Sequence, residues 1–179
     1  LLKVRNSTVS IEDLIIKAVS NVLKDHTVFN SRVEGNKVIV SQEHHISTAV
    51  SLPGGLMAPT IFDVQDKTVE EISAARKDLI SRARTNKLTV SEMTGGTFTI
   101  SNLGFRPIHY FTPIVNSPQI AILGIGQIVK RPWVNEKDEI DVQAVMGLSL
   151  TTDHRVVDGD PSGEFLGLIR DKLESAASY

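Results

Sequence analysis

The sequence contains no cysteine, and this absence removes three kinds of chemistry at once. Disulfide bonds, thiolate–metal sites and a cysteine nucleophile are all excluded. Long apolar runs are missing as well, and none approaches the roughly 20 residues that span a bilayer. The net charge of -2 lacks the basic excess that nucleic acid or an anionic membrane surface would attract. We therefore expect neither a nucleic acid nor a membrane as a partner.

The remaining composition is that of an ordinary globular protein. Of the 179 residues, 41% are apolar and 22% are charged. A chain of this length can bury roughly 70% of its unfolded surface around one core. The first residue is Leu1 rather than methionine, so we expect a fragment or a trimmed chain, with any targeting segment upstream. We predict a single domain over residues 1–179.

The hydrophobic periodicity predicts a mixed α and β fold. Helices are expected over about 11–24 and 68–85, because each opens on a hydroxyl residue with an acidic residue three positions later. A short turn of helix is expected near residues 89–93, and a final helix from Asp160 and Pro161. The predicted strands cover residues 31–33, 37–40, 46–52, 97–102, 120–129 and 141–150.

The stretch Asp153–Gly159 places His154 at a strand-to-helix corner, where a general base is often found. Asp158, four positions later, can orient this corner, and Gly159 allows backbone shapes that other residues resist. Asp153 adds a second acceptor nearby. A lone histidine at the end of an element is more often structural or solvent-facing than catalytic, so both interpretations stay open.

A second stretch, Gly95–Gly104, alternates in the manner of a strand bounded by glycine turns. Its polar positions offer Ser101 or Asn102 as a donor to a developing oxyanion, although the pattern alone favours a half-buried strand. A hydrolase triad of Ser101, His154 and Asp158 is disfavoured. Ser101 lacks the G-x-S-x-G elbow, and an aspartate four residues after a histidine is poorly placed for its far ring nitrogen.

Three other sequence patterns resemble functional motifs, but we interpret none of them as a functional site. Gly124–Gly126 lacks the third glycine and the following helix of a dinucleotide loop. His44 and His45 are neighbours in sequence and would point to opposite faces of a strand, so we predict no metal site. Lys67 resembles a lipoylation lysine but leads directly into a helix start, and we interpret it as a helix-entry residue.

Four blocks in register carry a family resemblance. The chain resembles the catalytic domain of the dihydrolipoamide acyltransferases, which form the core of 2-oxo acid dehydrogenase complexes. The blocks are Gly55–Ile61, Gly95–Gly104, Pro113–Gly124 and Asp153–Gly159. The resemblance implies a chloramphenicol acetyltransferase-like fold, a mixed β-sheet flanked by helices and assembled as a homotrimer. Such trimers can join into cubic or dodecahedral cores.

The resemblance also implies an enzyme with a site shared between subunits. Coenzyme A or acyl-coenzyme A is the expected substrate, and the lipoyl group would arrive on a separate domain. By position, His154 corresponds to the general base, Ser101 to the oxyanion donor and Asp158 to the support of the histidine loop. The lipoyl and peripheral-subunit-binding domains are absent from this stretch, and the other subunits of the complex are expected partners. The expected compartment is the prokaryotic cytoplasm or the mitochondrial matrix.

Serine at position 101 is similar to the acetyl- or branched-chain-transferring members, and we expect acetyl transfer. The segment Phe105–Tyr110 departs from the small residues common in the family at this point. Two alternatives remain: an acetyltransferase for small hydroxyl or amine acceptors, and a non-catalytic core scaffold. The first is disfavoured because such enzymes tend to carry a second histidine where Asp153 stands. The intact Ser101, His154 and Asp158 disfavour the second.

Overall fold

The computed structural model describes residues 9–135 and 137–175. Over these residues the chain forms helices and strands in an interleaved order. The helices are α1 (Ile11–Leu23), α2 (Val69–Arg84), α3 (Val90–Thr94) and α4 (Gly159–Glu174). The strands are β1 (Ser31–Glu34), β2 (Lys37–Val40), β3 (Ile46–Thr48), β4 (Val50–Leu52), β5 (Gly55–Met57), β6 (Thr60–Ile61), β7 (Phe98–Asn102), β8 (Ala121–Val134) and β9 (Ile140–Thr152).

The main sheet is mixed, as predicted. Its strand order is β6-β3-β7-β8-β9, with β7 in the centre. The pairs β3–β7 and β7–β8 are parallel, whereas β6–β3 and β8–β9 are antiparallel. The pairs β1–β2 and β4–β5 form separate hairpins. Helices α1, α2 and α4 contribute to one buried cluster with the sheet, which includes Phe98, Ile100, Phe165 and Ile169.

The predicted starts of α1 and α2 are confirmed in atomic detail. Ser10 caps α1 through a hydrogen bond from the backbone N–H of Asp13 to its hydroxyl, 3.3 Å long, and the Asp13 carboxylate accepts the Ser10 N–H in return. Thr68 and Glu71 form the same reciprocal pair at α2. Each box satisfies backbone donors that a helix start leaves unpaired, which is why the sequence pattern locates these ends well.

The predicted strand over residues 46–52 is wrong, because the chain forms two strands there. β3 belongs to the main sheet, and β4 pairs with β5 in a separate hairpin. Ala49 lies between them and donates its backbone N–H to the carbonyl of Ile100. Ile46, Val50 and Leu52 fall on the same side of an alternating pattern on both sides of this change of partner, so the pattern did not indicate it.

Strand β7 is buried on both faces for most of its length, rather than half-buried. Phe98 and Ile100 enter the helix-covered core, whereas Thr97 and Thr99 are buried on the other side. These threonine hydroxyls bond to side chains: Thr99 donates to Gln119 Oε1 at 2.6 Å, and Thr97 donates to Asn30. Hydrogen bonding removes most of the cost of burying a hydroxyl, so polar residues occupy an inner strand here.

The β8–β9 hairpin is longer than predicted. Its ladder continues through Val134 and Ile140, past the expected ends at residues 129 and 141. The predicted polar tip, residues 135–139, connects the strands, although Glu136 lies outside the described residues. Trp133, Ile140 and Val142 are exposed on this arm.

The last helix begins before the predicted Asp160 and Pro161. α4 starts at Gly159 with Asp158 as its N-cap residue, although the Asp158 side chain makes no capping hydrogen bond. Gly159 does not have positive φ, and a side chain there would meet open space, so the expected conformational role of this glycine is wrong. Among the described helices, none has the length and apolarity needed to cross a membrane.

Candidate active site

Ser101 occupies the penultimate position of the central strand β7 and is partly accessible. Its register partner on the parallel strand β8 is Gly124. Partners in neighbouring strands share a face, so the Ser101 hydroxyl lies beside a position with no side chain. No described residue forms a hydrogen bond with this hydroxyl. It is therefore available to a ligand on the face of the sheet away from the helices.

A loop over residues 103–118 passes along this face and is fitted to the glycines beneath it. An added Cβ at Gly124 would lie 3.0 Å from the Phe111 ring, and one at Gly126 would lie 2.0 Å from the carbonyl oxygen of His109. The same carbonyl blocks a Cβ at Gly147 at 2.3 Å. These glycines permit close approach of the loop, which accounts for the Gly124–Gly126 pattern without a dinucleotide.

A β-bulge joins the same loop to the sheet. The β8–β9 register shifts between Ile125 and Ile128. Within this irregularity the backbone N–H of Gln127 turns to the loop and donates to the carbonyl of Ile108 at 2.7 Å. Bulges release a backbone group from the ladder, and here the released donor holds the loop.

The segment Phe105–Tyr110, which departs from the family pattern, forms the outer part of this loop. Phe105 and Tyr110 are exposed, and the Arg106 guanidinium lies 5.4 Å from the centre of the Phe105 ring. The departure from small residues thus affects the outer surface of the loop, while its backbone stays docked on the sheet.

His154 projects from a turn that is anchored on both sides. The backbone N–H of Asp153 donates to the carbonyl of Ile120 at 2.7 Å, continuing the β8–β9 ladder, and the N–H groups of Val156 and Val157 both donate to the carbonyl of Asp153. Val157 is buried in the core. The His154 side chain is nevertheless 78% exposed. The backbone is fixed while the ring extends into solvent.

The charged groups of this turn form two pairs, His154 with Asp158 and Asp153 with Arg155. His154 Nδ1 lies 3.6 Å from an Asp158 carboxylate oxygen, a charge-pair distance rather than a hydrogen bond. Asp153 and Arg155 bind each other, with Arg155 Nε 2.9 Å from Asp153 Oδ1. Hydrogen bonding from Arg155 lowers the pKa of Asp153. Arg155 is therefore the partner of Asp153 and does not pair with Asp158.

An open cavity of about 380 Å³ lies beside the same turn. Asp153 and Arg155 form part of its wall, together with Gln119 and the β1–β2 turn at Gly35. His154 is not among its lining residues. No described residue hydrogen-bonds to Nε2 of His154.

The sheet register separates Ser101 from His154 within one chain. Ser101 is aligned with Gly124, and Gly124 with Ser149, whereas β9 continues three residues further to Thr152 before the histidine turn. Two strand spacings of ~4.8 Å and three residues of ~3.4 Å place the Cα atoms of Ser101 and Thr152 about 14 Å apart. One chain brings His154 and Asp158 together but leaves Ser101 out of reach of both.

Sequence reasoning missed a polar network behind Ser101. Asn102 Nδ2 donates to Glu12 Oε2 at 2.8 Å, and Arg76 NH1 lies 3.8 Å from the same carboxylate. Arg76 also donates to Asp13 Oδ1 at 2.6 Å and to the Ser10 hydroxyl at 2.8 Å. Burial alone would raise the pKa of Asp13, but these contacts outweigh it and lower the pKa. The sequence signals nearby were the capping pair at Ser10 and Asn102 as a candidate oxyanion donor, and neither indicated that the Asn102 amide binds Glu12.

The adjacent histidines His44 and His45 have different hydrogen-bond partners. His44 is buried, and its Nδ1 lies 2.9 Å from the Ser20 hydroxyl. Burial lowers the pKa of His44. His45 accepts the backbone N–H of Asp63 at 3.2 Å and packs edge-on against Phe62. Over residues 9–135 and 137–175, no group of three or more His, Cys, Asp or Glu side chains is arranged to hold a metal ion.

Comparison with known families matches this chain over residues 2–179 to the catalytic domain of the 2-oxoacid dehydrogenases acyltransferase family. The chain belongs to this acyltransferase family. The resemblance carried by the four sequence blocks is thereby confirmed.

Two curated relatives of this chain carry the same functional name. The dihydrolipoyllysine-residue acetyltransferase component of the pyruvate dehydrogenase complex of Corynebacterium glutamicum is 42% identical over 166 residues, which are 90% of this chain and 25% of the relative. The equivalent component of Rickettsia bellii is 38% identical over 173 residues, 97% of this chain and 41% of the relative. The chain thus spans a quarter to two fifths of the length of these relatives.

Solved structures confirm the fold. The cubic core of a pyruvate dehydrogenase multienzyme complex has a TM-score of 0.89 at 35% identity, covering 93% of this chain and 69% of that one. Azotobacter vinelandii dihydrolipoamide acetyltransferase has the same TM-score at 34% identity, with the same coverage. Its catalytic mechanism has been studied at a serine, a histidine and an asparagine four positions after the histidine. Chloramphenicol acetyltransferase shares the fold alone, at 17% identity and a TM-score of 0.58.

Proposed function

We propose that this chain is the catalytic part of an enzyme that transfers an acetyl group between coenzyme A and a dihydrolipoyl group carried on a separate lipoyl domain. Family membership and the names of the relatives support this reaction. The observation that carries the proposal is His154, whose backbone is fixed while its ring is open to a ligand. An acyl transfer between two thiols needs one such base and no protein nucleophile.

In this reaction His154 acts as the general base. An imidazole has a reference pKa of about 6.5 and can accept a thiol proton near neutral pH. The resulting thiolate attacks the carbonyl carbon of the acyl thioester and forms a tetrahedral intermediate. When the intermediate collapses, the carbon–sulfur bond of the other thiol breaks, and the protonated imidazole returns the proton to the leaving sulfur. Charge and protons balance without a cysteine or a metal ion.

Ser101 donates to the oxyanion of the tetrahedral intermediate. Its hydroxyl is unoccupied by any described residue and lies on an inner strand, where its position is well fixed. A preorganised donor of this type typically accelerates acyl transfer by 10²–10³, since it meets charge that develops only in the transition state. Serine at this position and the acetyltransferase names of the relatives both favour acetyl as the acyl group.

The active site lies between subunits of a homotrimer, with Ser101 from one subunit and His154 from its neighbour. The separation of about 14 Å between Ser101 and the end of β9 in one chain supports this arrangement. A closed ring of identical subunits repeats the same heterologous contact at each boundary, so every boundary would hold one complete site.

Asp158 supports the histidine turn rather than acting as a base. It stands four positions after His154, where the Azotobacter enzyme has the asparagine studied in its mechanism. An asparagine can cap a helix and orient a ring but cannot accept a proton as a carboxylate does, which favours a supporting role. Assembly of trimers into a larger core, as in the cubic core of a pyruvate dehydrogenase complex, and docking of the other complex subunits are parts of the same proposal.

One assay tests the reaction. We expect the purified protein to transfer acetyl from acetyl-coenzyme A to dihydrolipoamide, and to use isobutyryl- and succinyl-coenzyme A less well. Small alcohols and amines serve as alternative acceptors. Transfer to those acceptors in preference to dihydrolipoamide would replace the proposal with a small-molecule acetyltransferase. A folded trimer that acylates none of them would indicate a scaffold.

Subunit mixing tests the shared site. Subunits with Ser101→Ala are unfolded and refolded together with an equal amount of subunits with His154→Ala. Each boundary then has about one chance in four of combining an intact serine with an intact histidine, so activity should return to about one quarter of the wild-type value. Each variant refolded alone is the control. Mixtures no more active than the separate variants would overturn the shared site.

A further inference from the structure

Asn102 follows Ser101 directly, and both ends of its side-chain amide are occupied. Its Nδ2 donates to Glu12 Oε2 at 2.8 Å, and its Oδ1 accepts the backbone N–H of Gly104 at 2.8 Å. Successive residues of a strand point to opposite faces, so Asn102 points to α1 while Ser101 points to the substrate side. The last residue of β7 is thus fixed from behind.

Glu12 is itself held in place. Its side chain is 15% exposed, and its carboxylate lies 3.8 Å from Arg76 of α2. Arg76 is also bound to the fully buried Asp13. Hydrogen bonds to charged groups are among the stronger ones in proteins, and partial burial limits screening by salt. The carboxylate that receives Asn102 therefore belongs to a rigid junction between two helices.

The contact also sets the start of the loop that covers the serine. The hydrogen bond from the Gly104 N–H to Asn102 fixes the orientation of the backbone at Gly104. An added Cβ at Gly104 would lie 2.9 Å from the carbonyl oxygen of Gly126, so the loop also passes close to β8 here. Beyond Gly104, the same loop places Phe111 beside Gly124, the register partner of Ser101. Displacement of Asn102 would therefore move both the serine and the loop beside it.

We propose that Glu12 and Asn102 are positioning residues of the acyl-transfer reaction, which hold the Ser101 hydroxyl where the oxyanion forms. This inference rests on the proposed function. Neither side chain touches a substrate. They act through the end of β7, where a shift of about 1 Å can cost up to 10²-fold in rate.

The test is a double-mutant cycle. Asn102→Asp places a second carboxylate against Glu12 but keeps the oxygen that accepts the Gly104 N–H. We expect kcat to fall about tenfold, with KM for coenzyme A unchanged. In a Ser101→Ala background the same substitution should change kcat less than twofold, because the group being positioned is gone. Asn86→Asp, at an exposed position between α2 and α3, is the matched control and should leave kcat unchanged.

Rescue adds a second criterion. Glu12→Gln combined with Asn102→Asp restores a donor and an acceptor in reversed order, and kcat should recover to within about threefold of wild type. If Asn102→Asp does not fold, Glu12→Ala takes its place in the cycle, since Asp13 still pairs with Arg76. Equal fold losses with and without Ser101, or no loss at all, would overturn the positioning role. A wild-type protein that transfers no acetyl group would overturn the proposed function, and this inference with it.

Discussion

Ser101 and His154 lie in surroundings that differ in almost every physical respect. Ser101 is on the central strand of the sheet, with a docked loop on its own face and the Asn102–Glu12 contact behind it. His154 extends from the edge of the same sheet, and its nearest charged partner, Asp158, is 83% exposed. One group is surrounded by its own chain, whereas the other has only a fixed backbone.

This difference indicates what holds each half of the proposed site in position, the serine half around Ser101 and the histidine half around His154. The serine half is assembled by folding, because every group that holds it belongs to the same chain. The histidine half has an anchored turn but an unrestrained ring, which contacts from a neighbouring subunit would complete if the proposed trimer forms. Substitutions in the first half should therefore affect stability and catalysis together, and substitutions in the second half should affect catalysis alone.

The largest effect is expected for His154→Ala. Loss of a general base should lower kcat by about 10³–10⁴-fold, since this group both removes and returns the proton. The free energy of unfolding should change by less than about 0.5 kcal/mol, because the side chain is exposed. Steady-state acetyl transfer and urea unfolding measure the two quantities. Acetyl transfer at the wild-type rate by this variant would refute the mechanism.

Ser101→Ala should lower kcat by about 10²–10³-fold, less than His154→Ala. The KM values should change little, since the oxyanion exists only during the reaction. Kinetics with acetyl-coenzyme A at several dihydrolipoamide concentrations separate the two parameters. A rise in KM with unchanged kcat would instead indicate a substrate-binding role for this serine.

Arg76→Met tests the internal support of the serine half. It leaves the buried Asp13 carboxylate without its cation, and the free energy of unfolding at pH 7 should fall by about 3 kcal/mol. In the wild type, contacts with Arg76 and Ser10 lower the pKa of Asp13. Its contribution is therefore full above the unfolded pKa of about 4 and is lost as pH falls through the folded value.

Without Arg76, burial is the largest effect left on the pKa of Asp13 and raises it. The deficit should therefore begin to shrink as pH falls through this raised pKa, and shrink further below about pH 4, where the wild type loses its own contribution. Urea unfolding at pH 7 and pH 3.5 measures this change. Arg170→Met, which removes an exposed partner of Asp171, is the control and should cost less than about 0.5 kcal/mol. A deficit that is equal at both pH values would contradict the assignment to Asp13.

The smallest effect is expected for Asp158→Asn. The two side chains are similar in size and both serve at helix N-caps, so kcat should fall less than about tenfold and stability should stay within about 0.5 kcal/mol. Acetyl-transfer kinetics together with thermal unfolding provide the measurement. A loss as large as that of His154→Ala would make Asp158 an obligatory partner of the histidine.

Local signals made much of the fold predictable. Capping pairs such as Ser10 with Asp13 depend on residues three apart, and both their presence and their location can be read from the sequence. The division at Ala49 could not be predicted, because it reflects which strands are available as partners rather than any change in the apolar pattern. The length of the β8–β9 arm was also missed, since its outer residues are exposed and do not alternate with burial.

The site was predictable in its parts but not in its arrangement. His154 and Ser101 stood out through their motifs, and their roles remain predictions. Their separation within one chain follows only from the register of three strands. The contact between Asn102 and Glu12 joins residues 90 positions apart, and no motif links the two. Such long-range hydrogen bonds require the packed structure.

The close approach of His109 to Gly126 and Gly147 has a consequence for how this protein could be altered. The loop can follow its path because these glycines lack side chains, and its backbone and the rings of Tyr110 and Phe111 pack in the space that this leaves. The outward residues Phe105 and Arg106 could therefore be exchanged together to change the outer surface of the protein, whereas the Tyr110 ring packs over Gly147. The glycines under the loop could not be exchanged in this way, because even an alanine would push the backbone off the sheet.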